Sequence, residues 1–598
     1  MFARWPGCGH SAPVLGAVLG TLGFAALSVI LTRPPRDPGI HDSDSALYIV
    51  EAISLSQTSI LDPRPEWNTV VRLAALPWGG MHVLLLRLGL GLRGDSSNQC
   101  EFTACSLCWF WSMMSAVSVV LASLLGYLLR GSWGAVWASG LVALSSSHLG
   151  LYTQLNQVGT TALFSLLLLV AGAWRALRPE GRGAAMALGL VGFLYPFADN
   201  MSIVMWVVFP GYMWLLLSRP PGRALVKAIA PFAIGTGLAL VGMATLTGLR
   251  LATGATVYDC TLLHFATRVV SLLSRSTGPA TSAAPWMNLP GAAASLGVGG
   301  ALVVALAALY AAARVRTTRD LCLVPVALAY AVPLLFVSRG ATLVSEYLNH
   351  ALTLVLLAAG VIVGHLWSHP NPGTRRVVVA RMTTVACALL MLGSAAAGSG
   401  AARRERAGEA WAPLGARLSR LPADAVIAST AEEEVGILYT GRRILTRNDT
   451  AAQELVPRLE AWPGRIDYLV IRSDDQDRFA TLLARRRLEI LHFAEGAGTA
   501  EWRVFGPRGD ASAPPGRLRL PRAGEICRRQ PYIPYSFDAG WRYAPDSILR
   551  MWGVAGLLQG DPRLWQDWSR ATRLAYQPFA SFDPGGPPAS PPPASAPR

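Results

Sequence analysis

Several residues able to do acid, base or metal chemistry follow the first long apolar run: His41-Asp42-Ser43-Asp44-Ser45-Ala46-Leu47-Tyr48, then Glu51. Carboxylates at the exit of a hydrophobic helix can hold a hard divalent cation such as Mg or Mn through oxygen, or take a proton from a hydroxyl. If a helix starts near Asp44, then Asp44, Tyr48 and Glu51 recur at helical spacing and share one face. Asp42 or Asp44 serves equally well as the N-cap of a solvated helix. Arginines offer the complementary charge. Arg268, Arg275 and Arg339 fall in, or at the edge of, stretches between apolar runs, and a guanidinium can grip phosphate through two parallel N–H donors. Each is equally suited to anchoring a lipid headgroup. Arg339 stands in a very short connection close to Glu346, and His350 follows Glu346 by four residues, a spacing that puts both on one helix face. Ionisable groups at membrane depth are costly and are functional suspects by default, although a structural hydrogen bond explains this pair as well. Asp199-Asn200 reads as a turn between two spans.

The elements that must position these residues are membrane helices. Of the 598 residues, 52% are hydrophobic and only 15% charged, with a mean hydropathy of +0.37, too apolar for an ordinary soluble protein. The basic excess is almost wholly arginine, Lys227 being the single lysine. It is concentrated in short gaps between apolar runs and in one C-terminal region, so the bilayer explains it without nucleic acid. A span needs about 20 apolar residues, and eleven runs qualify: 13–32, 106–129, 133–149, 157–174, 184–198, 201–217, 226–247, 291–313, 320–337, 345–366 and 377–398. Gaps holding Arg175, Arg178 and Arg182, then Arg219, Arg223 and Lys227, then Arg314, Arg316 and Arg319, then Arg375 and Arg376 alternate with poorer ones. Cytoplasmic loops carry that excess, so the alternation places the amino terminus inside and the loops 33–105, 148–156, 248–290 and 338–345 outside, along with everything beyond about 399. Gly79 to Leu92, with Arg87, and Val257 to Leu273, with His264 and Arg268, read as interfacial segments.

Three regions follow: a transmembrane module over 1–400 with its long first outer loop 33–105, an extracytoplasmic α/β domain over 401–582, and a Pro/Ala/Ser-rich disordered tail over 583–598. In the second, Asp424 to Ser429 and Ile466 to Arg472 read as strands and Ala451 to Trp462 and Gln476 to Arg486 as helices, implying a mainly parallel sheet between about 415 and 507. It contains no Gly-rich phosphate loop or nucleophile elbow. The segment 520–582, rich in Tyr and Trp, has no clear place. Cys100, Cys105, Cys260 and Cys527 fall on the outer side, where a disulfide can form, while Cys322 and Cys387 read as buried apolar residues.

The order of motifs carries a resemblance. A first helix, Asp44-Ser45-Ala46-x-Tyr48, Leu76-Pro77-Trp78 leading into an interfacial segment, Tyr152-Thr153-Gln154 before the fourth span, Glu346-Tyr347-Leu348 opening the tenth, and Leu421-Pro422-Ala423-Asp424-Ala425-Val426-Ile427-Ala428 opening the outer domain resemble polytopic glycosyltransferases of the GT-C fold. The likeness is to the group that includes protein mannosyltransferases and bacterial aminoarabinose transferases. It implies a catalytic carboxylate in the first outer loop, matched here by Asp44. The group often has a second acid directly after it, where this chain has Ser45 with Asp42 nearby. A basic residue often precedes the tyrosine of the late span, where this chain has Glu346.

The expectation is therefore an inner-membrane glycosyltransferase of a bacterial envelope. It moves a sugar from a polyprenyl-phosphate carrier to a glycan, lipid or protein acceptor on the outer face, with inversion implied by the resemblance. Asp44 is the base or metal-binding carboxylate with Asp42 assisting. Arg339 and Arg268 meet the carrier phosphate, and Glu346, His350, Tyr48 and Gln154 contact substrate. A multi-span transporter or a non-catalytic envelope assembly protein are the rival readings.

Overall fold

The computed structural model describes residues 11–33, 99–153, 157–197, 202–252, 289–315, 318–336, 341–368, 375–407, 427–429, 456, 466–490 and 502–507. The helical part and the small sheet belong to separate compact units.

The helices are α1 (Ser11–Thr32), α2 (Gln99–Ala143), α3 (Ser146–Thr153), α4 (Gln157–Leu177), α5 (Arg182–Leu194), α6 (Ser202–Leu216), α7 (Gly222–Ala252), α8 (Leu289–Arg314), α9 (Leu323–Phe336), α10 (Ala341–Trp367) and α11 (Arg375–Ala407). Among the described residues seven stretches are long and apolar enough to cross a bilayer: Pro13–Thr32, Trp109–Ala143, Val158–Leu177, Gly222–Gly242, Ser295–Arg314, Tyr347–Trp367 and Arg375–Gly398. Arg182–Leu194 and Val204–Leu216 are shorter apolar helices. The chain is a polytopic α-helical membrane protein.

α2 holds two of the expected spans. Gly131 has φ 67° and ψ −155°, a backbone region essentially restricted to glycine, and the chain doubles back there. In a straight helix Gly126 and Gly134 would lie roughly 12 Å apart along the axis, yet a β-carbon on either would strike the backbone of the other. The second half ends at Ala143, short of the expected 149, and the helix restarts as α3, where the His148 amide donates to Ser145 Oγ at 3.2 Å. That hydroxyl acts as a cap for the new helix.

α4 and α10 are the central helices: 83% of the apolar window of α10 is buried, against 17% for α11 at the periphery. α10 reaches the α2 hairpin through a Gly360-x-x-x-Gly364 pair, whose β-carbon positions lie 2.7 Å from Ala138 Cα and 2.6 Å from Gly134 Cα. Small residues four apart let two helix backbones touch. Peripheral helices turn Leu15, Leu19, Leu22, Met186, Val207, Ile234, Leu238, Val298, Leu309, Met382 and Leu389 outward, an apolar belt that hydrocarbon covers without cost and water does not.

The two ends of the bundle differ in charge. One end is tied by Arg319 Nη2 to Leu128 O at 2.8 Å, Arg381 Nη2 to Trp367 O at 2.8 Å, Tyr310 Oη to His365 Nδ1 at 2.9 Å and Arg175 to Pro179 O. The connections there carry the arginine groups read from the sequence, with Glu180 and Asp320 their only acids. The opposite end, called the rim below, is uncharged in its described contacts and is tied by serine, tyrosine and histidine.

In the other unit, β1 (Ile427–Ser429) pairs parallel with β2 (Tyr468–Arg472), β2 antiparallel with β4 (Trp502–Pro507), and β3 (Leu488–Ile490) antiparallel with β4, giving the order β1-β2-β4-β3. The sheet is thus mixed rather than mainly parallel. β3 and β4 are successive strands that pair directly, and such neighbours run antiparallel without a crossover. Helix α12 (Ala480–Arg486) packs Leu482 and Leu483 with Phe479, Leu469, Ile471 and Phe505. Apart from Val456, the expected helix 451–462 lies outside the described residues, as do 520–582 and the tail. Cys322 and Cys387 are buried free thiols, as their apolar surroundings in the sequence suggested.

Candidate functional site

The first half of α2 carries Ser112, Ser115 and Ser118 at intervals of three in a mostly apolar stretch, a spacing that lines them along one stripe. The stripe faces α1 and α3. Ser112 Oγ donates to Thr32 O at 2.9 Å, pinning the last residue of α1. Ser115 Oγ lies 3.1 Å from His148 Nε2, and Ser28 of α1 meets both Ser115 and, at 3.5 Å, the same nitrogen. Ser118 Oγ is 2.6 Å from Tyr152 Oη, which in turn donates to Gly159 O of α4 at 3.0 Å. All of these side chains are buried. A Ser–His contact of this kind has the first half of a nucleophile–base arrangement, but His148 Nδ1 has no hydrogen-bond partner among the described residues, and a catalytic imidazole needs that nitrogen oriented. The cluster therefore clamps α1, α2, α3 and α4 together at the rim.

α3 carries the clamp to α10. A β-carbon on Gly150 would sit 2.9 Å from Asn349 Nδ2, and Ser147 Oγ donates to Ser295 O of α8 at 3.0 Å. Behind Asn349, His350 is 1% exposed with its ring 4.7 Å from that of Tyr330. Tyr330 Oη is 3.1 Å from Tyr195 Oη, itself 2.9 Å from Ser165 Oγ. Neither ring nitrogen of His350 has a partner among the described residues. Gly150 and Asn349, nearly 200 residues apart in the chain, thus meet at one end of the bundle, next to the Tyr152-Thr153-Gln154 and Glu346-Tyr347-Leu348 motifs in sequence.

That end is also where α1 finishes, ahead of Asp42 and Asp44, and where α10 begins two residues after Arg339. Asp42, Asp44, Tyr48, Gln154, Arg268 and Arg339 themselves lie outside the described residues, as does Asp199. Glu346 occupies a position in α10 one turn before His350. Among the described residues no group of three or more His, Cys, Asp and Glu could hold a metal ion. The hard oxygen donors suited to Mg or Mn are the carboxylates of the undescribed first loop.

The serine stripe and the tyrosine chain were missed by sequence reasoning. The signal was present in the three-residue spacing of Ser112, Ser115 and Ser118, but isolated serines are unremarkable in apolar helices until their partners are known.

No family profile and no curated protein sequence matches the chain. Solved structures do. The oligosaccharyltransferase AglB of Archaeoglobus fulgidus, in complex with an inhibitory peptide and a dolichol-phosphate, superposes with TM-score 0.54 at 10% identity over 78% of this chain and 71% of that one. ArnT of Cupriavidus metallidurans bound to undecaprenyl phosphate gives 0.50 at 12% identity over 84% of this chain and 99% of that one. The chain has a GT-C fold. The Archaeoglobus oligosaccharyltransferase has also been solved with Zn and sulfate, matching at 0.50 and 11% identity over 80% of this chain and 72% of that one.

Proposed function

We propose that the chain is a membrane glycosyltransferase that transfers a sugar from a polyprenyl-phosphate carrier to an acceptor hydroxyl at the rim. The observation that carries this reading is the match along nearly the full length of ArnT bound to undecaprenyl phosphate. The meeting at the rim of α1, α3 and α10, the elements that flank the chemistry-bearing segments of the sequence, supports it.

The reaction follows from the residue types. The acceptor hydroxyl gives its proton to the Asp44 carboxylate, with Asp42 adding negative charge nearby. The acceptor oxygen bonds the anomeric carbon, the bond from that carbon to the phosphate oxygen breaks, and the carrier leaves as polyprenyl phosphate. Attack opposite the leaving phosphate inverts the anomeric configuration. Arg339 and Arg268 bind the phosphate, whose charge rises as the bond breaks, so their attraction is greatest in the transition state. Glu346, His350, Tyr48 and Gln154 contact sugar or acceptor. A divalent cation, where bound, would be held by Asp42 and Asp44 and would offset phosphate charge. The basic end faces the cytoplasm of a bacterial inner membrane by the positive-inside rule, which puts the rim and the sheet domain outside.

Replacing Asp44 by Asn in cells tests the reading. General-base loss lowers transfer by on the order of 10²–10⁴-fold, so the glycan product disappears while the protein stays at its normal level in the membrane. Undiminished product from Asp44→Asn rejects the site.

A further inference from the structure

At the basic end, α8 and α11 leave an open groove between them, with a volume of about 360 Å³, lined by Leu306 of α8 and by Arg375, Arg376, Val379, Ala380 and Thr383 of α11. That volume lies near the lower bound of small-ligand sites, roughly 300–1,000 Å³, enough for a headgroup and the first carbons of a chain. Its chemistry is divided along its length. Arg375 and Arg376, the first two residues of α11, line it and are exposed, and neither side chain has a hydrogen bond or ion pair among the described residues. Arg381, one turn deeper, is by contrast committed to the α10 carbonyls Leu366 O and Trp367 O and lies 5.4 Å over the Trp367 ring. The Thr383 hydroxyl is turned back to Val379 O at 2.9 Å. The wall is otherwise aliphatic, and exposed Leu302, Leu309 and Met382 extend it on either side. From Arg376 to Thr383 the helix rises roughly 10 Å, the distance from headgroup level into the upper acyl region.

We propose that this groove binds an anionic phospholipid of the leaflet at the basic end, its phosphate held by Arg375 and Arg376 and one acyl chain laid along Leu306, Val379 and Ala380. Charge complementarity selects the occupant. Paired guanidiniums with no acid beside them attract phosphate, and the connection His369 to Thr374 that leads into them contains no carboxylate. The apolar wall makes a lipid, rather than a free anion, the ligand that fills the groove. Basic pockets between membrane helices on this side are suited to acidic headgroups. The inference rests on the helical fold and on the sidedness proposed above, and is independent of the reaction assigned to the rim.

The test uses the full chain reconstituted in phosphatidylcholine vesicles containing phosphatidylglycerol, with a phosphatidylglycerol probe bearing a photoactivatable acyl chain and crosslinks mapped by peptide mass spectrometry. Crosslinks are expected on Leu302 to Leu309 and Val378 to Thr383, competed by unlabelled phosphatidylglycerol. Arg375→Gln with Arg376→Gln lowers them roughly thirty-fold, about fivefold per arginine, while Arg375→Lys with Arg376→Lys retains most of them. Arg223→Gln with Lys227→Gln, on α7, leaves them unchanged. Equal crosslinking by a phosphatidylcholine probe, insensitivity to the double glutamine variant, or displacement by inorganic phosphate alone overturns the proposal.

Discussion

Replacing Gly364 by Ala tests the packing that joins the central helix to the α2 hairpin. The added methyl would lie 2.6 Å from Gly134 Cα, 2.9 Å from its nitrogen and 3.2 Å from the Trp133 carbonyl carbon. Carbon atoms rest at about 3.5–4.0 Å, and the opposing atoms are backbone, which cannot rotate aside. The helices must separate by about 1 Å, which forfeits a quarter to a half of the dispersion attraction of the contacts that open. The same shift disturbs Trp367, whose ring packs 4.9 Å from Trp133 and 5.4 Å from Trp137. Overpacking of this kind costs about 1–3 kcal/mol, against a gain of up to about 1 kcal/mol from replacing glycine in a helix, leaving a net loss of up to about 2 kcal/mol when that gain is realised in full. Gly393→Ala is the matched control, since a methyl there meets nothing within 4 Å. Equilibrium unfolding in mixed micelles of rising sodium dodecyl sulfate content reads the difference. Gly364→Ala is expected to unfold at a lower detergent fraction than wild type, and Gly393→Ala at the same fraction or a higher one. Coincident curves for the two variants would refute the close approach of α10 and α2.

Gly131→Ala forces a β-carbon into the φ 67°, ψ −155° conformation at the hairpin turn. It should lose about 1–3 kcal/mol in the same unfolding assay, although the site has open space around it. Ser115→Ala leaves His148 Nε2 with only Ser28 at 3.5 Å. A loss of about 0.6 kcal/mol, and no more than about 1.7, is expected, the mean and upper end for interhelical hydrogen bonds in membranes, and no change would show that the clamp is incidental. For sidedness, a cysteine at Ser218, in the connection after α6, should react with an impermeant maleimide only after spheroplasts are lysed. One at exposed Asp477 of the sheet unit should react before lysis, and the reverse pattern would invert the assigned topology.

Much of the helical order was legible because it depends on two signals that survive without a fold, the length of apolar runs and the placement of arginine. The break near Arg130 is a case in point: charge alone separates the runs, and Gly131 is the residue that can make the turn. The stop at Ala143 was not legible, because Ser145 becomes a cap only when the His148 amide is aimed at it. The rim was legible as a list of motifs and not as a place, since Gly150 and Asn349 are joined by packing of α3 on α10 rather than by any local pattern. In the sheet unit, β2 was readable from its continuous Tyr-Leu-Val-Ile run, buried on both faces. β3 is three residues long, too short for alternation to register, and the mixed pairing followed from it. The acids and arginines assigned to catalysis were read from type, spacing and resemblance, and they remain a proposal about residues outside the described part of the chain.

The central claim is tested most directly by transfer in a purified system. The full chain in vesicles, given a panel of polyprenyl-phosphate sugars labelled in the sugar and an envelope acceptor fraction, should move label from carrier to acceptor. Free polyprenyl phosphate should appear in equal amount, and both products should be lost with Asp44→Asn. Label that stays on the carrier with every donor in the panel, or transfer by Asp44→Asn at the wild-type rate, would contradict the account.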